Sequence, residues 1–109
     1  MTHPVVILES AEDDIREIRR CVLSQCGQIA WSQTYSILKQ TIRRLADSPD
    51  PGSRVDELRE LNMTRFRQAI SGSNRVIYQI ADETVYVHIV CDSHIDLMSL
   101  LHRRLLRSA

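Results

Sequence analysis

Arg65, Arg67 and Arg75 fall in a stretch from Leu61 to Ala81 that contains no acidic residue, and Tyr86, His88 and His94 follow within twenty positions. Together these side chains supply what metal-free cleavage of a phosphodiester requires. A base must deprotonate the attacking hydroxyl, fixed positive charge must hold the phosphate, and an acid must protonate the leaving oxygen. Arginine suits the second task because its planar fork pairs bidentately with phosphate, and it pairs equally well with carboxylate. The same arginines therefore fit an acidic partner segment, or a simply solvated surface. On spacing alone the solvated surface is the more economical reading.

Other chemistries find less support. His88-x-x-Cys91-x-x-His94 has the look of metal-ligand spacing. In a strand, however, residues three apart point to opposite faces, so His88 and Cys91 do not converge and no metal site is expected. The chain has neither a Gly-x-Ser-x-Gly elbow nor a glycine-rich phosphate loop, and no cofactor is expected. Cys21, Cys26 and Cys91 are an odd number without framework spacing, which fits reduced thiols serving as small core residues.

These residues need elements to position them. Pro4 to Glu9 is a short apolar run of strand type. Ser10, followed by Glu12, Asp13 and Asp14, reads as the capped start of a helix. Its buried stripe is Ala11, Ile15, Ile18 and Val22, and Gly27 ends it. A second helix begins near Ile29, with Trp31, Tyr35, Leu38, Ile42 and Leu45 as its seam. The break between the two is too short for anything but a sharp reversal, so they form an αα-hairpin. Asp47 to Ser53, with two prolines and a glycine, is a loop, and Arg54 to Asn62 reads as connector.

Thr64 to Ile70 alternates as a strand, with Phe66, Gln68 and Ile70 on one side and Arg65, Arg67 and Ala69 on the other. Gln68 sits poorly on a buried face, which suggests an edge or a bulge. Ser71-Gly72-Ser73 turns the chain into a hairpin over Asn74–Asp92 whose loop is Asp82-Glu83. In that register Ile80 faces Val85, Tyr78 faces Val87 and Val76 faces Ile89. The opposite side carries Arg75, Ile77 and Gln79 beside Tyr86, His88 and Val90. Arg75 is then expected on the same side as Arg65 and Arg67, giving one guanidinium-lined face. Asp92 or Ser93 caps a closing helix with Leu97, Leu100, Leu101 and Leu105 on its apolar side, and Arg103, Arg104 and Arg107 lie near its C-terminal end.

The order β-α-α-β-β-β-α defines an α+β fold: an N-terminal strand and αα-hairpin packed on a mostly antiparallel sheet, one face relatively open, with a C-terminal helix. At 109 residues it is expected to be a single domain, 1–109. Fourteen basic and fourteen acidic residues give no net charge, so the overall balance carries no footprint of nucleic-acid binding. No apolar run has the length of a membrane span and the start is not that of a signal peptide, so a cytoplasmic location is expected.

The stretch Asn74-Arg-Val-Ile-Tyr-Gln-Ile after a glycine turn, the turn Asp82-Glu83, Thr84-Val-Tyr-Val-His-Ile-Val, and Asp96-Leu97 with Leu100-Leu101 resemble the RelE/ParE superfamily of bacterial toxins. The upstream layout of strand, helical hairpin and proline-glycine loop matches as well, so the resemblance covers nearly the whole chain. It implies the toxin of a type II toxin–antitoxin, plasmid-stabilisation module: growth-inhibiting and neutralised by a cognate antitoxin laid over its surface, as a dimer or a hetero-oligomer with it. RelE-like members cleave messenger RNA on the ribosome. ParE-like members are associated with inhibition of DNA gyrase and lack the nuclease residues. By this resemblance Arg75 matches the strand arginine that contacts the scissile phosphate in the nucleases, and Arg67 lies on a strand where they carry basic residues. Their second catalytic arginine falls at about Ile95, beside His94, and their C-terminal tyrosine near Leu101. These two departures, with the neutral charge, place the chain closer to the ParE-like branch. The alternative is a ribosome-dependent endoribonuclease using Arg75, Arg67 and a nearby histidine, His94 or His102. A third outcome is a toxin fold kept only as a binding module.

Overall fold

A computed structural model describes residues 2–49, 53–54 and 66–108. The expectations for Arg65, Thr64 and the connector from 55 to 62 lie outside the described residues. Strand β1 is Val5–Ile7, helix α1 Glu9–Cys26, helix α2 Gln28–Asp47, strand β2 Ser53–Arg54, strand β3 Phe66–Ser71, strand β4 Asn74–Ala81, strand β5 Thr84–Asp92 and helix α3 Leu97–Ser108. The five strands form one sheet in the order β1-β5-β4-β3-β2, antiparallel except for the β1–β5 pair. Ser53–Arg54, expected as loop end and connector, is thus a short edge strand, paired with Gln68 and Arg67.

Helix α1 starts one residue before the expected cap. Leu8, extended at φ −67° and ψ 155°, precedes the first turn, and Ser10 instead lies 3.4 Å from the carbonyl oxygen of His88. Glu9 and Glu12 still place acid at the positive end of the helix. Gly27 separates α1 from α2 at φ +88°, where a side chain would be strained although nothing crowds the position. On α2, Trp31, Leu38 and Leu45 are buried as expected. Tyr35 is 43% exposed, stacked on Trp31 at 5.4 Å and capped by the Lys39 ammonium 5.0 Å from its ring centre. The seam therefore leaves the core at Tyr35 and continues as an aromatic–cation stack.

Between helices and sheet lies one apolar cluster, in which Ala11, Leu38 and Leu45 meet Val76, Tyr78, Val85, Val87 and Val90. The expected hairpin register holds from the tip inward: Ala81 pairs with Thr84, Ile80 with Val85 and Tyr78 with Val87. Then the register slips between Ile77 and Tyr78, so that Ile77 pairs with Ile89 and Val76 with Val90 instead of Ile89. His88 is the extra residue of this β-bulge. Before it, Val85 and Val87 face the helices. After it Val90 does, while Ile89 and Cys91 turn to the other side.

That other side is not open. Phe66, Ile77, Ile89, Cys91 and Leu97 form a second apolar cluster, with Ile95, Leu100 and Leu101 packed against it. Helix α3 covers it, so the sheet has helices on both faces. The cap of α3 is Asp96, not Asp92 or Ser93: its carboxylate accepts from the Met98 and Ser99 amides at 3.1 and 3.4 Å and from the Ser99 hydroxyl at 2.7 Å. Those donors hold the Asp96 carboxyl below its usual range, the Ser99 hydroxyl first among them. Asp92 closes the preceding turn by accepting from the His94 amide at 2.8 Å. Two of the three thiols also depart from expectation, since Cys21 and Cys26 are exposed on α1 and only Cys91 is buried.

Candidate functional site

Which face an arginine occupies is decided by the turn between β3 and β4. Ser71 pairs with Asn74, so the loop is the two residues Gly72-Ser73 rather than three, with Gly72 at φ +60° as a type II′ turn requires. A change of one residue in loop length reverses side-chain parity across the pair. Arg67 consequently pairs with Tyr78, on the helix-hairpin side, whereas Arg75 pairs with Ile70 on the α3 side. The single guanidinium-lined face does not form from these two residues.

Arg75 is 7% exposed. It stands opposite Cys91 in the register, and its Nη1 donates to Oε1 of Gln68 at 3.1 Å. This explains the polar residue on an otherwise apolar side of β3: Gln68 pairs with Ile77 and receives the guanidinium of the next strand. Asp92 lies opposite Asn74, one position from Arg75 and of the other parity, and accepts from the His94 amide. Burial raises the Cys91 thiol above its ordinary value, with the Arg75 guanidinium acting in the opposite sense. Cys91 therefore stays protonated at neutral pH.

Tyr86 and His88 share the α3 side with Arg75. Tyr86 is half-buried between Val6 and Gln79. The His88 and Phe66 rings meet edge to face, with centroids 5.1 Å apart at 84°. His94 is elsewhere, in the exposed turn after β5, where Nδ1 lies 3.2 Å from the Asp92 carboxylate and the side chain is 90% accessible. Of the residues singled out in the sequence, the structure brings Arg75, Tyr86 and His88 to one side and leaves Arg67 and His94 apart. Among the described residues no group of His, Cys, Asp or Glu is arranged to hold a metal ion. A shallow hollow of about 530 Å³ runs along the outer face of α2 from Gln28 to Gln40 and touches none of these side chains.

A polar junction not foreseen in the sequence lies at the bulge. β1 pairs with β5 only through Val87, so the edge of β5 beyond it would leave backbone groups bare. The Val90 amide donates to Oδ2 of Asp14 at 3.0 Å, and the His88 carbonyl accepts from Nη1 of Arg104 at 3.1 Å. Arg104 also pairs with Asp14 directly. With side chains only 19% and 17% exposed, this pair joins α1, β5 and α3 at one point. Arg104 is therefore more than a charge placed near a helix end. The only sequence signal was its spacing from Leu97, Leu100 and Leu101, which puts it on the docked side of α3.

The arrangement matches solved toxin structures. The chain superposes on a chain of the RelBE2 toxin–antitoxin complex of Mycobacterium tuberculosis with a TM-score of 0.58 and 21% identity, covering 84% of this chain and 99% of that one. For the chromosomal ParDE system of P. aeruginosa the TM-score is 0.69 at 10% identity, covering 84% and 96%. A mutant of E. coli RelE in the free state gives 0.51 at 21% identity, covering 86% of each chain. At such identities these likenesses define the fold, that of the RelE/ParE-like toxins. Among curated proteins compared by sequence, none matches. The family is shown by the sequence model for the ParE toxin of the type II toxin–antitoxin system parDE, which matches residues 5–97. The chain belongs to that family.

Proposed function

We propose that this toxin arrests growth in the ParE manner, by a protein contact on DNA gyrase, and that a cognate antitoxin laid over its surface keeps it silent. The observation that carries the reading is the apolar layer on the side of the sheet that Arg75 occupies. At the two positions where resemblance to the nucleases would put an arginine and a tyrosine, the chain has Ile95 and Leu101. Both pack against the second apolar cluster. Arg75 itself is buried in that layer beside Cys91 and Gln68, with Arg67 on the opposite side of the sheet. Metal-free cleavage needs several charged groups converging on one phosphate, and aliphatic side chains supply none of them. The family match and the toxin–antitoxin complexes among the structural neighbours support a partner antitoxin.

The purified chain, freed of antitoxin, is expected to inhibit supercoiling of relaxed plasmid by gyrase, and its expression to induce the DNA-damage response. Arg75→Gln should leave that inhibition nearly intact per folded molecule. If the chain is instead a ribosome-dependent nuclease, translating ribosomes will yield newly cleaved messages, gyrase will be unaffected, and Arg75→Gln will lose about 10²-fold or more in cleavage. Neither activity in a folded, antitoxin-free sample would mark a toxin fold retained for binding alone.

A further inference from the structure

We infer that α3 is a latched lid: the Asp14–Arg104 ion pair holds the far half of the helix onto α1 and the β5 bulge, and its release opens the second apolar cluster without unfolding the sheet. A helix of twelve residues is marginal in water by itself, so α3 owes its order to docking. Among the described side chains, its apolar anchors lie in the first part of the helix. Leu97 is fully buried, Leu100 and Leu101 are half-buried, and all three lie in the first turn and a half. The outward side of the helix, with Met98, Ser99, His102 and Arg103, is exposed. Beyond Leu101, the contact described is Arg104, which reaches the His88 carbonyl and the Asp14 carboxylate together.

This point of attachment has a particular construction. Asp14 binds both the Val90 amide and Arg104, so the carboxylate that caps the open edge of β5 is also the one that holds the lid. The pair is mostly withdrawn from water, where an ion pair depends strongly on geometry and loses its compensation when one partner is removed. The sheet under the lid has its own support, since β4 and β5 pack against α1 and α2 through the first cluster. Local opening on one side is then separable from global unfolding on the other. What opening uncovers is the layer of Phe66, Ile77, Ile89 and Cys91, with Arg75 at its margin.

Cys91 makes the motion measurable, because it is the buried thiol of that layer. In the full chain with Cys21→Ser and Cys26→Ser, alkylation of Cys91 by the neutral reagent N-ethylmaleimide under native conditions should proceed through lid opening. Its rate should depend only weakly on urea at low concentration, as expected for exposure of a small surface. Arg104→Met should raise the rate at least ten-fold and Arg104→Lys by less, while Arg103→Met, on the outward side, should leave it unchanged. Amide exchange in β4 should stay protected in each variant. If alkylation instead tracks global unfolding, with the full urea dependence, or if neither Arg104 variant accelerates it, the latch does not exist. Should Arg104→Met fail to fold, Arg104→Lys carries the test alone.

Discussion

Single side chains settle questions that their types left open. Tyr78 is fully buried, and its hydroxyl donates to the Pro49 carbonyl at 2.6 Å, tying the end of the helical hairpin to the central strand. Its parity with Val87 was legible from the sequence; its polar partner, twenty-nine residues upstream, was not. Tyr78→Phe removes only the donor, leaving a buried carbonyl unsatisfied, and should destabilise the fold by about 1–2 kcal/mol. Urea denaturation would show a lower midpoint at unchanged slope. An unchanged midpoint would mean that water or another donor replaces the hydroxyl. The arginines carry the opposite lesson. Nothing in Arg67 or Arg75 says that they point apart; that follows from whether Ser71 belongs to the turn or to the strand, and the residue types allow both.

At the scale of elements, the alternation from Val76 to Val87 was readable because only one side of that stretch is uniformly apolar. Beyond Val87 both sides carry apolar residues, Ile89 and Cys91 on one and Val90 on the other, so the pattern holds no information about register and the bulge at His88 is invisible to it. For the same reason the cover supplied by α3 is not legible: the helix is, but the layer it buries interleaves Arg75 and Gln68 with its apolar residues. The hairpin tip shows a rule kept against preference. Asp82 and Glu83 form the expected two-residue loop, both at positive φ, 49° and 65°. Aspartate tolerates that conformation as asparagine does, whereas Glu83 is strained in it, and Asn-Gly is the favoured pair for such a turn. Replacing Asp82-Glu83 with Asn-Gly should stabilise the protein by about 1–2 kcal/mol, read as a higher melting temperature with the same hairpin register. A loss of stability would show that the acidic pair makes contacts that offset its backbone strain.

For the molecule as a whole, net charge bears on whether a polyanion can be a target. Fourteen cations are matched by fourteen anions. Several of the matches are local: Arg16 pairs with Glu12 and Asp13, and Arg20 with Glu17, along the outside of α1. Arg104 is taken up by Asp14 within the fold. Such pairing suppresses the long-range field that draws a protein to a polyanion. A protein that neutralises several phosphates binds tightly at low salt and loses about 10³–10⁵ in affinity between 50 and 200 mM. The present chain should do neither. Fluorescence anisotropy with a labelled single-stranded RNA at physiological ionic strength should show no saturation up to about 100 μM protein, the weak end of non-specific binding. The same preparation should still inhibit gyrase, since a contact between proteins rests on shape and apolar area more than on counterion release. Tight RNA binding with a steep salt dependence would overturn this expectation and put the ribosome ahead of gyrase as the target.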